Sequence, residues 1–129
     1  MELQMGIIKL EISLEEASKT IENFKTNRLK AFEQLHQQAK EITRNFINKL
    51  LHSEMTLFLG EPTQVNNKRN GYYERDYTLK GLGTIRIKMP IDRKREFDSQ
   101  IIPKNEQIDP SIKKDLALLH LAGLSTRNL

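Results

Sequence analysis

Nine positively charged side chains lie in one short stretch of the sequence, and they are the residues best suited to do chemistry. Residues 68–95 hold nine Lys or Arg and three Asp or Glu, whereas the segments on either side each carry one more acid than base. Such a stretch can bind the phosphates of a nucleic acid, and the alternative is a solvated basic surface. If six of the nine met phosphates, binding would weaken with salt at a log–log slope of about −5.

The side chains that we expect to contact backbone phosphate lie mostly on or beside a predicted β-hairpin. They are Arg69, Arg75, Arg86, Lys88, Arg93, Lys94, Arg95 and Arg127. Within residues 84–89, cations alternate with apolar residues, so Arg86 and Lys88 project from the face opposite the apolar one. The run at 93–95 follows a proline, in a loop that is free to follow a phosphate backbone.

Patterns typical of an active site are weak. The three histidines are His36, His52 and His120. They are not spaced to share a metal ion, and we interpret them as surface residues. Glu74 and Asp76 share a strand face, which would suit metal or acid–base chemistry, but the interleaved cations favour cross-strand ion pairs. Cysteine is absent, which excludes disulfides and thiolate sites. We predict no catalytic residue, metal ligand or cofactor in this chain.

A long helical pattern precedes the basic stretch. After a short strand predicted within residues 5–12, Ser13 to Glu16 has the spacing of a capping box. Apolar residues then recur every three or four positions, except that Arg28 sits where an apolar residue would be expected, and no Gly or Pro interrupts them before Gly60. This predicts one helix to about Leu59, or two helices with a break within 26–30, whose apolar stripe needs a second helix or a second chain as partner. The stripe is Leu14, Ala17, Ile21, Phe24, Phe32, Leu35, Ala39, Ile42, Phe46 and Leu50.

The basic stretch itself has the pattern of a β-ribbon. Residues 61–71 are a polar linker that ends in Asn70-Gly71, a turn motif. Alternating residues at 72–79 and 84–89 flank the turn Lys80-Gly81-Leu82-Gly83, whose glycines can take positive φ. No helix follows these glycines, so they do not form a phosphate loop. We expect Pro90 to stop the second strand and residues 96–103 to add a third.

The end of the chain has the pattern of two helices joined by a tight turn. Asp109-Pro110 predicts a helix start, and Gly123 predicts its end. Ser125 would then cap a second helix. This order favours the first two helices of a helix-turn-helix unit, with a plain helical hairpin as the alternative. The helix that would enter the major groove is not part of this chain.

These elements predict an α+β protein. We expect a long N-terminal helix or helical hairpin, a small antiparallel β-ribbon of two to three strands, and the start of a helix-turn-helix. The predicted divisions are residues 1–60, 61–71, 72–103 and 104–129. The sequence has neither a signal peptide nor an apolar run long enough for a membrane span, so we expect a cytoplasmic protein without membrane contact.

Several motifs occur in a characteristic order between residues 50 and 129. They are Asn70-Gly71-Tyr72-Tyr73-Glu74-Arg75, Gly83 to Pro90, Asp92-Arg93, Glu96-Phe97, Ile102-Pro103 and Ala122 to Arg127. This order resembles the N-terminal region of Mutator-type bacterial insertion-sequence transposases. The resemblance implies DNA transposition, with this region binding the terminal inverted repeats of the element.

The resemblance also implies a catalytic domain with a carboxylate triad and divalent metal ions beyond Leu129, so none of its residues is carried over. We therefore expect a DNA-binding front part, inactive by itself, that is either a designed fragment or a gene remnant. The rival interpretation gives the function to the amphipathic helix. In that case the chain forms a homodimer, or inhibits an intact transposase, without binding DNA directly.

Overall fold

The computed structural model describes residues 2–5 and 8–123. Its helices are α1 (Leu14–Thr26), α2 (Arg28–Leu59) and α3 (Pro110–Leu121). Its strands are β1 (Glu2–Met5), β2 (Ile8–Glu11), β3 (Arg69–Leu79) and β4 (Gly83–Asp92), paired as two antiparallel hairpins. The predicted α+β class, with a long helix and a small antiparallel ribbon, is confirmed. The chain forms two compact units, Met1–Ala39 and Lys40–Leu129.

The first unit begins with a hairpin of which the sequence predicted only one strand. The strand expected within residues 5–12 is β2, but its partner β1 was not foreseen. Ser13 then caps α1, because its hydroxyl accepts a hydrogen bond from the Glu16 amide at 3.1 Å. The predicted helix start is therefore confirmed.

Asn27 separates α1 from α2, inside the segment where a break was predicted. Its φ of −149° is not helical, and its amide donates to the Asn23 carbonyl at 3.0 Å, which ends α1. Its side-chain oxygen accepts from the Lys30 amide at 3.2 Å. One residue thus ends one helix and caps the next, and the two-helix alternative is correct.

Arg28 occupies an apolar position of the stripe because it contacts an aromatic ring. Phe24 and Phe32 meet edge to face with centroids 5.0 Å apart, and the Arg28 guanidinium lies 5.4 Å from the Phe32 centroid. Much of the stripe in this unit remains exposed, for example 54% of Ile21 and 50% of Leu35. The described residues therefore do not cover this part of the stripe, which agrees with the need for a partner inferred from the sequence.

The second unit buries a face of α2 that the predicted stripe did not contain. Leu51 and Met55 are fully buried, and Leu51 and Ile47 pack against the core of the β3–β4 hairpin. The stripe had been assigned to Phe46 and Leu50, one residue earlier. Phe46 and Leu50 form one apolar row on α2, and Ile47 and Leu51 form another with the same helical spacing. Periodicity therefore could not show which row is buried, and the contact with the β3–β4 hairpin decides it.

The β3–β4 hairpin has the predicted faces. Ile85, Ile87 and Met89 are buried beside Tyr77, whereas the residues between them on β4 are exposed. The turn uses Gly81 and Gly83 at φ of 78° and 89°. The buried face completes the core with Ile102, which comes from the segment after the hairpin.

Pro90 does not stop β4, which continues to Asp92. Pro90 is tolerated because its backbone nitrogen does not face β3. The backbone N–H of Lys88 donates to the Asn48 side chain of α2 at 2.9 Å, so this N–H points away from β3. Two residues on, Pro90 has the same orientation, and its missing N–H costs no ladder bond.

Residues 96–103 do not form the expected third strand. Their amides are satisfied by side chains: Asp92 accepts from Glu96 and Phe97, and Glu54 accepts from Gln100 at 2.7 Å. The Ser99 hydroxyl accepts two more, from the amides of residues 101 and 102. Hydrogen bonds from side chains replace strand pairing here, so the prediction of a third strand was wrong.

The outer edge of β3 is covered by the segment that leads into α3. The Thr78 amide donates to the Gln107 carbonyl, and the Asp109 amide donates to the Thr78 carbonyl, both at 2.9 Å.

Asp109 caps α3 and accepts from the Ser111 amide at 2.8 Å, as predicted, and Gly123 follows the helix at φ 80°. The predicted helix from Ser125 lies outside the described residues, so the helix-turn-helix stays a prediction. None of the described helices is long and apolar enough to cross a membrane.

Candidate nucleic-acid interface

Arg86 is neutralised on the outer face of the hairpin. Its guanidinium lies 3.3 Å from a Glu74 carboxylate oxygen and 3.1 Å from one of Asp76. Hydrogen bonds to Asp76 and Glu74 raise the pKa of Arg86 further. The cross-strand ion pairs predicted for the two acids are confirmed, and they leave this part of the outer face without an excess of positive charge.

Arg75 lies on the opposite, inner face, across from Ile87. Its guanidinium donates to the carbonyls of Pro103 at 3.4 Å, of Lys104 at 3.1 Å, and of Glu106. These bonds hold the loop that follows the core. Of the residues expected to contact phosphate, Arg75 and Arg86 are therefore placed apart from the rest, each with partners inside the protein.

Five cations meet at the open end of the hairpin, away from its turn. They are Lys68, Arg69, Arg93, Lys94 and Arg95, called the open-end cluster below. Arg69 pairs with Asp92 in the ladder, and the Arg93 amide donates to the Lys68 carbonyl at 2.8 Å. The two ends of the basic stretch, some 25 residues apart, thus lie side by side. Within residues 8–123, no carboxylate forms an ion pair with a side chain of this cluster.

Asp92 organises the loop that carries the cluster. It is 1% exposed, and its carboxylate accepts from the Asn67 side chain at 2.8 Å and from the amides of Glu96 at 2.9 Å and Phe97 at 3.1 Å. Burial by itself would raise the pKa of Asp92, but these hydrogen bonds outweigh it and the pKa is lowered. A buried carboxylate is therefore used to shape the loop, and its charge is satisfied locally.

The backbone of the cluster is strained at one residue. Arg95 has φ 54°, in the left-handed region that favours glycine, and its amide donates to the Asp92 carbonyl at 3.2 Å. An arginine there costs roughly 1–2 kcal/mol relative to an ordinary conformation. Backbone conformations of this kind persist where the surrounding structure fixes them, and they cluster at functional sites.

A β-bulge gives Arg69 its direction. Arg69 pairs with Asp92 and Tyr72 pairs with Pro90, so two residues of β3 stand opposite one residue of β4. Gly71 within this bulge has φ 79°. Asn70-Gly71, interpreted from the sequence as a turn at the end of a linker, is thus an irregularity inside β3.

The bulge brings Arg69 to the side where α2 passes. The Arg69 guanidinium donates to the His52 carbonyl at 3.1 Å and to the Thr56 hydroxyl. The Lys94 ammonium, in turn, donates to the Val65 carbonyl at 2.6 Å. No described residue gives the Arg93 or Arg95 side chain a hydrogen-bond or ion-pair partner, so these two present their full charge to solvent.

Four of the eight candidate residues, Arg69, Arg93, Lys94 and Arg95, lie in the open-end cluster. Lys88 lies on the outer face near Tyr72, and Arg127 falls outside the described residues. Lys68 was not among the candidates, although its position beside Arg69 marked it as one, and His52 of α2 had no sequence feature to single it out. In the described part of the chain, no group of three His, Asp or Glu side chains is arranged to hold a metal ion.

The sequence profile of the Mutator family of transposases matches residues 14–129. The chain belongs to the Mutator family of transposases. The resemblance drawn from residues 50–129 is confirmed, and the family match also covers α1 and the first half of α2.

Curated relatives of this chain are transposases of insertion sequence elements. The transposase of IS905 from Lactococcus lactis subsp. lactis (strain IL1403) is 32% identical over 89 residues, which are 64% of this chain and 22% of that protein. The transposase of IS256 in transposon Tn4001 from Staphylococcus aureus is 26% identical over 96 residues, which are 70% of this chain and 24% of that protein. The chain thus spans about a quarter of the length of these relatives.

Proposed function

We propose that this chain binds DNA for a Mutator-family transposase and that the open-end cluster makes the contact. In the whole protein, the binding would serve transposition of an insertion sequence through its terminal inverted repeats. The observation that carries the proposal is the meeting of five cations without an ion-pair partner at one end of the hairpin. Lys80, at the turn end, is by contrast paired with Asp115 at 2.7 Å.

The charge arrangement supports backbone contact in preference to reading of bases. The cluster lies at a strand end and in a loop, and no described helix or strand carries it as a ridge that could enter a groove. Five contacts to phosphate would give a log–log salt slope of about −4.5, so that raising salt fourfold weakens binding roughly 500-fold. We expect weak and strongly salt-dependent binding, with little preference among sequences.

Fluorescence anisotropy of a labelled duplex, titrated with the chain at several salt concentrations, tests this. Arg93→Gln and Arg95→Gln should each make the slope shallower by about 0.9, since each removes one phosphate contact. Lys30→Gln is the matched control, because it removes one exposed positive charge from the first unit and has no ion-pair partner in the described chain. A salt slope near zero, or an equal effect of Lys30→Gln, would contradict the proposal.

We propose further that α3 is the first helix of a helix-turn-helix. Leu116, Leu118 and Leu121 are 43%, 55% and 82% exposed, and no residue of α3 is buried. A following helix, started at Ser125, would cover part of this exposed apolar surface. Backbone chemical shifts of residues 124–129 test this: helical values support the unit, and random-coil values in the complete chain oppose it.

Association of two copies through the first unit is a second candidate function. Phe32 and Leu35 of the apolar stripe on α2 are 48% and 50% exposed, and Ile21 of the stripe on α1 is 54% exposed. Burying such a stripe against a second copy would remove apolar surface from water at about 25 cal/mol per Å². The resulting homodimer could operate with or without DNA binding.

Sedimentation equilibrium over a range of concentrations measures this association. Leu35→Glu should shift the chain toward monomer, because it places a charge within the apolar stripe. Gln34→Glu introduces the same charge one residue earlier, at another exposed position of α2, and should leave association unchanged. A wild-type chain that stays monomeric at every concentration would rule the candidate out.

A further inference from the structure

We propose that the groove between α2 and the β3–β4 hairpin is a phosphate-binding site, occupied in the DNA complex by one backbone phosphate. The groove is a cavity of about 310 Å³ lined by Asn48, His52, Arg69, Tyr72 and Lys88, among others. It is called the Arg69 groove below. The inference rests on the proposed DNA binding and deepens it, because Arg69 belongs to the open-end cluster whereas Lys88, His52 and Asn48 do not.

The β-bulge assembles the groove. In a regular strand, residues three apart point to opposite faces, so Arg69 would point away from Tyr72. The extra residue in the bulge at Asn70-Gly71 brings the two side chains to the same face. Arg69 pairs with Asp92 and Tyr72 pairs with Pro90, and these two partners are two residues apart on β4, so they share a face. Arg69 and Tyr72 therefore lie on one face, with Lys88 two residues before Pro90 on the same side.

Arg69 is held in a fixed orientation for an anion. One terminal nitrogen of its guanidinium makes both bonds to α2, to the His52 carbonyl and the Thr56 hydroxyl. The remaining N–H groups have no partner among the described residues, and a guanidinium has five N–H donors in a planar fork. An oriented fork with free donors suits bidentate contact to a phosphate.

Lys88 remains available because its neighbour acid is engaged elsewhere. Glu74 stands directly across the ladder from Lys88, but it pairs with Arg86 at 3.3 Å. The Lys88 ammonium instead lies 5.1 Å from the centroid of the Tyr72 ring, beside the groove. Arg86 thus protects the positive charge of Lys88 from neutralisation.

The groove lining is complementary to a polyvalent anion. It contains the cations Arg69 and Lys88, the imidazole of His52 and the amide of Asn48, and no carboxylate. All these groups can donate hydrogen bonds, and the phenol of Tyr72 can add another. A phosphate group, with several acceptor oxygens and negative charge, matches this set of donors. DNA backbone, free phosphate and nucleotides share that chemistry.

An NMR titration of the complete chain with inorganic phosphate, at constant ionic strength set with chloride, tests the site. We expect saturable shifts of the Arg69 side-chain N–H and of the His52 ring. Arg69→Gln and Lys88→Gln should each weaken phosphate binding about tenfold, because each removes a charge-assisted hydrogen bond. If Arg69→Gln harms folding, Lys88→Gln still tests the site, because the Lys88 side chain makes no hydrogen bond in the described chain and its loss should not affect folding. Absence of saturable shifts, or equal weakening by Lys30→Gln, overturns the proposal.

A second arm of the experiment identifies the source of the phosphate. Adding unlabelled duplex DNA should displace inorganic phosphate and shift the same Arg69 and His52 signals. Duplex that binds without shifting them overturns DNA backbone as the occupant, while the proposed function survives. Phosphate binding without any DNA binding would overturn both the proposed function and DNA as the source.

Discussion

Replacing Asp92 with asparagine tests whether one buried carboxylate supports the loop of the open-end cluster. One carboxylate oxygen accepts from Asn67 and Glu96, and the other accepts from the Phe97 amide. An asparagine has a single side-chain oxygen, so it can replace only one of them. If that oxygen keeps the first pair of bonds, the NH₂ group faces the buried N–H of Phe97, and two donors oppose each other.

The expected loss follows from this geometry. Losing one hydrogen bond to a charged group and leaving a buried amide unsatisfied costs about 2–3 kcal/mol in the free energy of unfolding. For a unit of this size, each kcal/mol lowers the melting temperature by roughly 4–8 °C, so we expect a fall of roughly 10–20 °C. Asp98→Asn is the control, since this exposed acid of the same loop has no hydrogen-bond or ion-pair partner within residues 8–123 and should change stability by less than about 0.5 kcal/mol.

Thermal unfolding followed by circular dichroism measures both variants, and pH gives a second readout. The pKa of Asp92 in the folded chain is lowered from its ordinary 3.8, so its contribution is fully present above that value. The contribution disappears as pH falls through the folded-state pKa. The difference between wild type and Asp92→Asn should therefore shrink below about pH 4. Equal stability at neutral pH, or a difference that does not change with acidification, would refute the reasoning.

Three other predictions follow from named contacts. Arg95→Gly should stabilise the chain by about 0.5–1 kcal/mol by relieving the positive φ, yet weaken DNA binding, whereas Arg93→Gly should not stabilise it; urea unfolding and anisotropy measure both. Leu51→Ala should cost about 2–5 kcal/mol in urea unfolding because the side chain is fully buried, and Leu57→Ala, 75% exposed on the same helix, should cost less than about 0.5. Arg75→Met should cost about 1.5–3 kcal/mol and speed hydrogen exchange of the Thr78 amide, whereas Arg86→Met should cost much less because its ion pairs are exposed to solvent. Equal losses of stability in Leu51→Ala and Leu57→Ala, or in Arg75→Met and Arg86→Met, would contradict the assigned contacts.

Local patterns in the sequence were sufficient for the elements themselves. The cap at Ser13, the end of α2 before Gly60, the glycines of the hairpin turn and the Asp109-Pro110 start of α3 are each set by a few neighbouring residues. They were predictable because capping, turn geometry and proline act over four residues or fewer. The inner and outer faces of β4 followed for the same reason, from alternation along one strand.

Errors arose wherever a distant residue supplied the partner for a local group. Pro90 is tolerated because its nitrogen faces away from β3, as the bond from Lys88 to Asn48 of α2 shows, and residues 96–103 do not form a strand because Asp92 and Glu54 accept from their amides. The packing row of α2 was likewise chosen by the sheet and not by periodicity. None of these partners is visible in the local pattern.

The sequence alone determined that this chain has one basic segment, that the segment is a hairpin, and that its motifs are those of the Mutator transposase family. Only the tertiary structure decided which cations are free. Folding paired Arg86 with two acids and used Arg75 to hold a loop, while it joined the two ends of the basic stretch. Charge is a property of each residue, but its availability depends on which groups the fold brings within hydrogen-bond distance.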